Sequence, residues 1–290
     1  MIARNNKAGL PVDYLIPVGL PFGSEIQEIA FVSERNADQA VVLELPHPFR
    51  RQAVLVSRDA NQKLSASTGS LQILTIPLVN DQESELQERA REWVEAGARK
   101  TNPNSQFFTL QGAQIFWTPG RLAVIAQADR MDTVRLALVE VSWYEAELRD
   151  IEQTVGEAWP QLESDMPLAF EIDDRSIRQR RQLMKRFQQV LLIQARLARL
   201  APHVDCPHQH PPTLASQVAE RFRERTRMVH RCEFLDEQVE VFEKIYDSCG
   251  QRASDFMLNR SSNMLEWIII VLLSTQILLT GFEILTSLGQ

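Results

Sequence analysis

The sequence predicts an α+β protein: a ferredoxin-like α+β domain over residues 1–165, an antiparallel helical hairpin with a coiled-coil second arm over 170–263, and a transmembrane helix over 264–286. Three observations lead to this expectation. Short apolar runs bounded by turn residues fill about the first 130 positions, apolar residues at heptad spacing follow in a helical region, and an uncharged apolar stretch comes last.

The N-terminal domain is expected to contain short strands separated by turns and helices. Ser84 can cap an amphipathic helix that extends to Arg99, and Pro119-Gly120 is a strong turn signal between two strands. Two successive units of sheet and helix favour a ferredoxin-like sandwich. The predicted strands are Tyr14 to Val18, Ala40 to Leu45, Gln52 to Val56, Leu71 to Leu78, Gln106 to Leu110, Gln114 to Thr118 and Arg121 to Ala126.

The second half is predicted to be helical. One helix should extend from near Asp132 toward Trp159, where Pro160 is expected to break it. A second helix is predicted from Arg175 to about Leu200, and a proline-rich loop follows it. Thr213 then caps a long helix that can continue into the apolar stretch.

The long helix has a strict heptad pattern of apolar residues, with spacings that alternate between four and three over four heptads. This pattern predicts a seam that packs either on the preceding helix or on another protomer. We expect it to be the seam of a homo-oligomer, formed by Met228, Cys232, Leu235, Val239, Phe242, Tyr246, Cys249, Ala253 and Phe256.

The apolar stretch extends from Met264 to Leu285, and its part from Trp267 to Phe282 has no charged residue. As a helix it would be about 33 Å long, of which about 24 Å is uncharged, which is just enough to span a bilayer. Gln276 and nearby small residues would meet neighbouring helices. A buried helix in a soluble oligomer remains the alternative. The expected anchor residues are Leu265, Glu266, Trp267, Ile268, Ile269, Ile270, Gln276 and Glu283.

The charges beside this stretch predict its orientation. Arg252 and Arg260 precede it and no Lys or Arg follows it, so the positive-inside rule places the bulk of the chain on the cytoplasmic side of the inner membrane. The layout is that of a tail anchor with a single C-terminal span.

The segment from Arg175 to Arg231 is strongly basic, although the whole chain has a net charge of −7. Its cations could form a solvated, partly paired face, bind RNA or a ribosome, or lie against anionic lipid. Pairing with the acidic run from Asp236 to Glu243 is also open. The candidate polyanion-binding residues are Arg178, Arg180, Arg181, Lys185, Arg186, Arg221, Arg223, Arg225 and Arg227.

A loop between the two predicted hairpin helices contains His203, Cys206, His208 and His210, residue types that zinc prefers. A proline-stiffened polar loop is the alternative, and we expect no cofactor unless this loop binds zinc. The sequence has no Walker loop, dinucleotide-binding, zinc-protease or nucleophile-elbow motif, so no enzyme class is indicated. Three cysteines in a chain of this size suit a reducing compartment.

The C-terminal region resembles the "required for meiotic nuclear division" (sporulation) family. The resemblance depends on Leu265-Glu266-Trp267 followed by isoleucines at the end of a heptad-bearing helix, with weaker support from residues 113–124. It implies an inner-membrane-anchored homo-oligomer which, in mitochondria, faces the matrix and supports translation, with no established reaction.

The sequence therefore predicts a membrane-anchored, homo-oligomeric structural or interaction protein that presents an α+β domain in the cytoplasm. A metal-dependent or nucleic-acid-acting enzyme that uses the His203 to His210 loop and the basic helices is one alternative. A soluble oligomer with a sequestered apolar tail is the other.

Overall fold

The computed structural model describes residues 17–34, 39–56, 70–78, 83–96, 105–170, 174–206 and 212–288. Within the helices, the side chains of 174–180, 253, 257, 259, 260 and 281–288 lie outside this description. The chain forms two compact units. Unit 1 comprises Met1–Gln153 and Arg196–Leu235, and unit 2 comprises Thr154–Ala195 and Asp236–Gln290.

Unit 1 contains a mixed sheet of seven strands in the order β2-β3-β1-β4-β7-β6-β5. Neighbouring strands are antiparallel except β4 and β7, which are parallel with Ile73 opposite Leu122. The strands are β1 (Glu25–Val32), β2 (Val41–Glu44), β3 (Gln52–Leu55), β4 (Leu71–Pro77), β5 (Gln106–Leu110), β6 (Ala113–Thr118) and β7 (Arg121–Ala126).

Helix α1 (Glu83–Ala96) packs on one face of this sheet. Its buried residues, including Leu86 and Trp93, form a core cluster with Ile76, Phe116 and Ile125 of the strands. The opposite face is also covered: Trp117, next to Phe116 on β6, packs edge-on against Phe222 at 5.1 Å. Because both faces are covered, β6 and β7 are buried along their whole length.

The α+β class is confirmed, and six of the seven observed strands start or end within a residue or two of a predicted strand. Pro119-Gly120 joins β6 and β7 as predicted, with Gly120 at φ 84°, a conformation that favours glycine. The interior strand β1 was not predicted. A strand at Tyr14 to Val18 was, but Pro17 and Val18 are not in a strand and the rest lies outside the described residues. The seven-strand order does not confirm a ferredoxin-like sandwich.

Helix α2 (Ala128–Asp165) corrects the prediction that Pro160 would end it, because the helix continues through this proline. A proline inside a helix costs about 3 kcal/mol through a lost hydrogen bond and a clash with the preceding turn. Buried Val155 and Leu162 lie on either side of Pro160, at 2% and 0% exposure, and their packing offsets that cost.

The remaining helices are α3 (Pro167–Phe170), α4 (Asp174–Val204), α5 (Leu214–Arg225) and α6 (Met228–Leu288). Thr213 caps α5 as predicted, and its hydroxyl accepts a hydrogen bond from the Ser216 backbone N–H. The single long helix predicted after Thr213 is wrong, since Arg227 has φ 52° and separates α5 from α6. Helix α6 does continue into the apolar stretch without interruption, as expected.

Candidate functional site

The apolar segment of α6 is the largest exposed apolar surface in the part of the chain that the structure describes. We call residues 264–280 the tail segment. An 18-residue window of α6 has a mean hydropathy of 1.6 and no buried residue, and α6 is the one described helix long and apolar enough to cross a membrane. Trp267 is 68% exposed and Leu278 is 73% exposed. Nothing in the described chain covers this segment, whereas the core helix of a soluble protein would be mostly buried.

Polar side chains of the tail segment differ in how their hydrogen-bonding groups are satisfied. The Thr275 hydroxyl donates to the Val271 carbonyl at 2.8 Å, and the Thr280 hydroxyl donates to the Gln276 carbonyl at 2.9 Å. Such bonds to the preceding turn satisfy a hydroxyl within its own helix. The side-chain amide of Gln276 has no such bond among the described residues, so it remains an open donor and acceptor in an apolar surrounding.

The heptad stripe of α6 lies in a different environment. Seven of its nine residues are buried within the single chain, from Met228 and Cys249 at 0% to Cys232 at 8% exposure. Phe256 is half-buried, and the side chain of Ala253 is outside the description. In unit 2, Phe242 packs edge-on against Trp159 at 4.9 Å. These seven stripe residues are therefore buried within the single chain, and the partner of Phe242 lies on α2, a helix that the prediction did not name. The homo-oligomer seam expected at these positions stays a prediction.

In unit 2, a polar cluster forms where Tyr246 and Cys249 of the stripe contact Asp165. The Asp165 carboxylate is buried, pairs with Arg186, and accepts a hydrogen bond from the Tyr246 hydroxyl at 3.2 Å. The Cys249 thiol points at the Asp165 carbonyl at 3.9 Å. Burial, reinforced by Asp165, raises the pKa of Tyr246 and raises the pKa of Cys249 to about 11. No local pattern indicates this cluster, because its members lie on three different helices.

Unit 1 contains a cavity of about 650 Å³ lined by α2, α5, the end of α4 and Leu43. On its wall, the Tyr144 hydroxyl donates to the Glu140 carboxylate at 2.8 Å and lies 3.4 Å from Nδ1 of His203. The Tyr144 and His203 rings stack with centroids 5.2 Å apart, and Phe49 packs against His203 at 5.0 Å. Burial lowers the pKa of His203, although the Glu140 carboxylate opposes this shift. Burial and Glu140 raise the pKa of Tyr144.

These contacts place His203 in an aromatic packing cluster. Of the other predicted zinc ligands, Cys206 is exposed, while His208 and His210 lie outside the described residues. Within the described ranges, no three His, Cys, Asp or Glu side chains are placed to hold one metal ion. Neither His208 nor His210 is tested by this finding, so zinc binding stays a prediction.

Several basic residues pair with acids of α2. Arg231 donates to Glu152 at 2.6 and 2.7 Å and to the buried Glu145 at 3.2 Å, while Arg196 donates to Glu147 and Asp150. Burial raises the pKa of Glu145, and the neighbouring guanidinium groups of Arg149 and Arg231 oppose the shift.

The candidate polyanion-binding residues are only partly available. Arg186 pairs with Asp165 and Arg221 with Glu224. Arg181, Lys185, Arg225 and Arg227 are exposed, Arg223 is half-buried beside the cavity of unit 1, and the side chains of Arg178 and Arg180 lie outside the description. These ion pairs draw Arg186 and Arg221 into contacts within the chain, and polyanion binding by the exposed cations stays a prediction.

Comparison with known proteins leaves the family open. No protein-family model matches the chain, and no curated protein matches it. A solved structure described as "structure of the full-length CmaX protein" shares 11% sequence identity, with a TM-score of 0.38 over 76% of this chain and 78% of that one.

Proposed function

We propose that this chain is a membrane-anchored structural or interaction protein, held in the inner (cytoplasmic) membrane by the tail segment and presenting unit 1 in the cytoplasm. The observation that carries the proposal is the complete exposure of an 18-residue apolar window on a helix that is otherwise well packed. Apolar surface of this extent is unfavourable in water, at about 25 cal/mol per Å². A bilayer removes that cost along the whole segment.

The ends of the segment support this assignment. Trp267 suits the headgroup region, and Glu266 lies beside it, where a carboxylate is far less costly than at the bilayer centre. The exposed Arg252 lies on the same helix before the segment. A cation on this side favours the cytoplasmic location of both the arginine and the units that precede it.

The family resemblance supports two further parts of the proposal. It favours a homo-oligomer, and it makes support of translation at the membrane the first cellular role to test. Since most of the heptad stripe is buried within the chain, subunit contacts are better sought in the tail segment. The coiled coil then becomes an intrachain one, with Phe242 of α6 packing against Trp159 of α2.

Fractionation of cells tests the anchor directly. The full chain should pellet with membranes and resist extraction by alkaline carbonate, and a chain that ends at Asn263 should be soluble. Leu272→Arg places a charge in the middle of the segment and should cost about 2.5–3.5 kcal/mol of insertion. Its matched control is Leu258→Arg, at an exposed position of α6 before the segment, which should pellet like the unmodified chain.

Two results would overturn the proposal. One is a full chain that stays in the supernatant as a large particle, which would identify the tail segment as an assembly helix in a soluble oligomer. The other is a truncated chain that remains carbonate-resistant, which would place the membrane contact elsewhere.

A further inference from the structure

The amide of Gln276, like the smaller Ser274 hydroxyl, has no hydrogen bond to its own helix among the described residues, and it offers the most donors and acceptors near the middle of the tail segment. Gln276 lies about 2 Å along the helix axis from the middle of the uncharged stretch between Trp267 and Phe282. Its amide has two donor hydrogens and an acceptor oxygen, and lipid tails satisfy none of them. The hydroxyl groups of Thr275 and Thr280 donate hydrogen bonds to carbonyls of their own helix, whereas the Gln276 amide makes no such bond among the described residues.

We infer that the tail segments of two or more copies of this chain associate in the membrane through hydrogen bonds between their Gln276 amides. The inference rests on the proposed anchor, and it names the surface and the partner. The described residues contain a single candidate span, and the partner amide that we infer belongs to a second copy of this chain.

A second copy matches Gln276 better than an unrelated helix does. Copies inserted in the same orientation bring Gln276 to the same depth without any adjustment, and a primary amide is complementary to itself. The positions one turn away on the same face are Leu272, Leu273, Leu279 and Thr280, and Ile269 lies two turns away; all are exposed, and all but Thr280 are apolar. These residues can pack around the amide pair and keep it from lipid.

The test measures association of the full-length protein in lipid vesicles by energy transfer between donor- and acceptor-labelled copies, at increasing dilution with lipid. Gln276→Leu should weaken association about three- to twentyfold, the range of measured hydrogen bonds between membrane helices. Gln276→Asn, which keeps the amide, should associate more strongly than Gln276→Leu. The matched control is Thr275→Val, whose hydroxyl is already satisfied within the helix and whose loss should leave association unchanged.

Disulfide cross-linking between copies gives a second readout, separate from the energy-transfer measurement. In a Cys206→Ser background, Gln276→Cys should form a disulfide-linked dimer in membranes on mild oxidation. Leu278→Cys, on the opposite side of the helix, should not.

The outcomes separate this inference from the anchor itself. If the full chain is extracted by carbonate, both the anchor and the Gln276 contact fail. If it resists carbonate but Gln276→Leu associates as strongly as the unmodified chain, or if the 276 and 278 cysteines cross-link equally, the anchor stands and the Gln276 contact is wrong.

Discussion

Helix α6 has two apolar surfaces that lie on one continuous helix and differ completely in environment. The heptad stripe between Met228 and Cys249 is 8% exposed or less at each of its seven positions, whereas the tail segment is exposed throughout. The stripe alternates with charged residues, so it can bury one face and keep the other in water. The tail segment has large apolar residues on every side of the helix, which suits a surrounding that is itself apolar on all sides. The difference is therefore visible in the pattern of the intervening residues.

The largest contrast should come from truncating one side chain in each stretch. Phe242→Ala removes a buried ring that packs on Trp159, and should lower the free energy of unfolding by about 3–5 kcal/mol. Leu272→Ala, at a position that is 64% exposed, should change it by less than about 0.5 kcal/mol. Denaturant unfolding of the full chain in detergent, followed by Trp fluorescence, measures both. Equal effects of the two substitutions would mean that the tail segment also packs on the chain.

A smaller effect is expected from the polar cluster that fixes the stripe in unit 2. Asp165→Asn keeps the shape of the side chain but removes the charge that faces Arg186 and leaves one acceptor oxygen, which Arg186 and the Tyr246 hydroxyl would have to share. We expect a loss of about 1.5–3 kcal/mol in the free energy of unfolding. Asp247→Asn is the matched control, because Asp247 is exposed on the same helix and should change stability by less than about 0.5 kcal/mol. An unchanged stability in Asp165→Asn would show that apolar packing alone positions Tyr246.

The sequence predicted those elements whose signals are local. Strand β7 matches its prediction from Arg121 to Ala126, because β-branched and aliphatic residues there follow a Pro-Gly turn. Strand β1 was missed although Ile29, Ala30 and Phe31 are apolar and buried, since Glu25 and Glu28 before them weaken the apolar signal. Continuation of α2 through Pro160 depends on packing around the proline, which no local pattern reports.

The candidate sites were also predicted where their signal is local and missed where it depends on residues far apart in the sequence. The tail segment was found because length and absence of charge define it within one stretch of chain. The heptad stripe was found, but its partner was not, since a heptad pattern is the same whether the facing helix belongs to the same chain or to another. The Tyr144–His203 stack and the Asp165 cluster were missed, because each joins residues that are more than fifty positions apart in sequence.

Acid should act on the aromatic cluster of unit 1 and on neither apolar stretch. The pKa of His203 is lowered in the folded chain, so neutral imidazole is favoured there. The stability that depends on neutral His203 is present above the unfolded pKa of about 6.5 and is lost as the pH falls below it. The melting temperature should therefore drop between pH 7.5 and 5.5, and His203→Gln should reduce that drop. His230→Gln, at an exposed position, is the control. The same acid response in both variants would exclude His203 as its source.

Labelling of cysteine thiols with a water-soluble maleimide compares the two apolar stretches of α6 with little change to the structure. Cys206 is exposed and should react at once in the native chain. Cys249 is fully buried and burial raises its pKa to about 11, so it should react only in denaturant. A cysteine introduced as Leu272→Cys, in a Cys206→Ser background, reports on the tail segment in the same assay.

The labelling pattern distinguishes coverage of the tail segment by lipid from coverage by protein. If lipid covers the tail segment, Leu272→Cys is unreactive in membranes and becomes reactive when a mild detergent exchanges around it, while Cys249 stays protected until the fold is lost. If protein covers both stretches, the two thiols appear together in denaturant and detergent has no effect on either. A Leu272→Cys thiol that reacts at once in membranes would place the tail segment in water. That result would contradict the proposed membrane anchor.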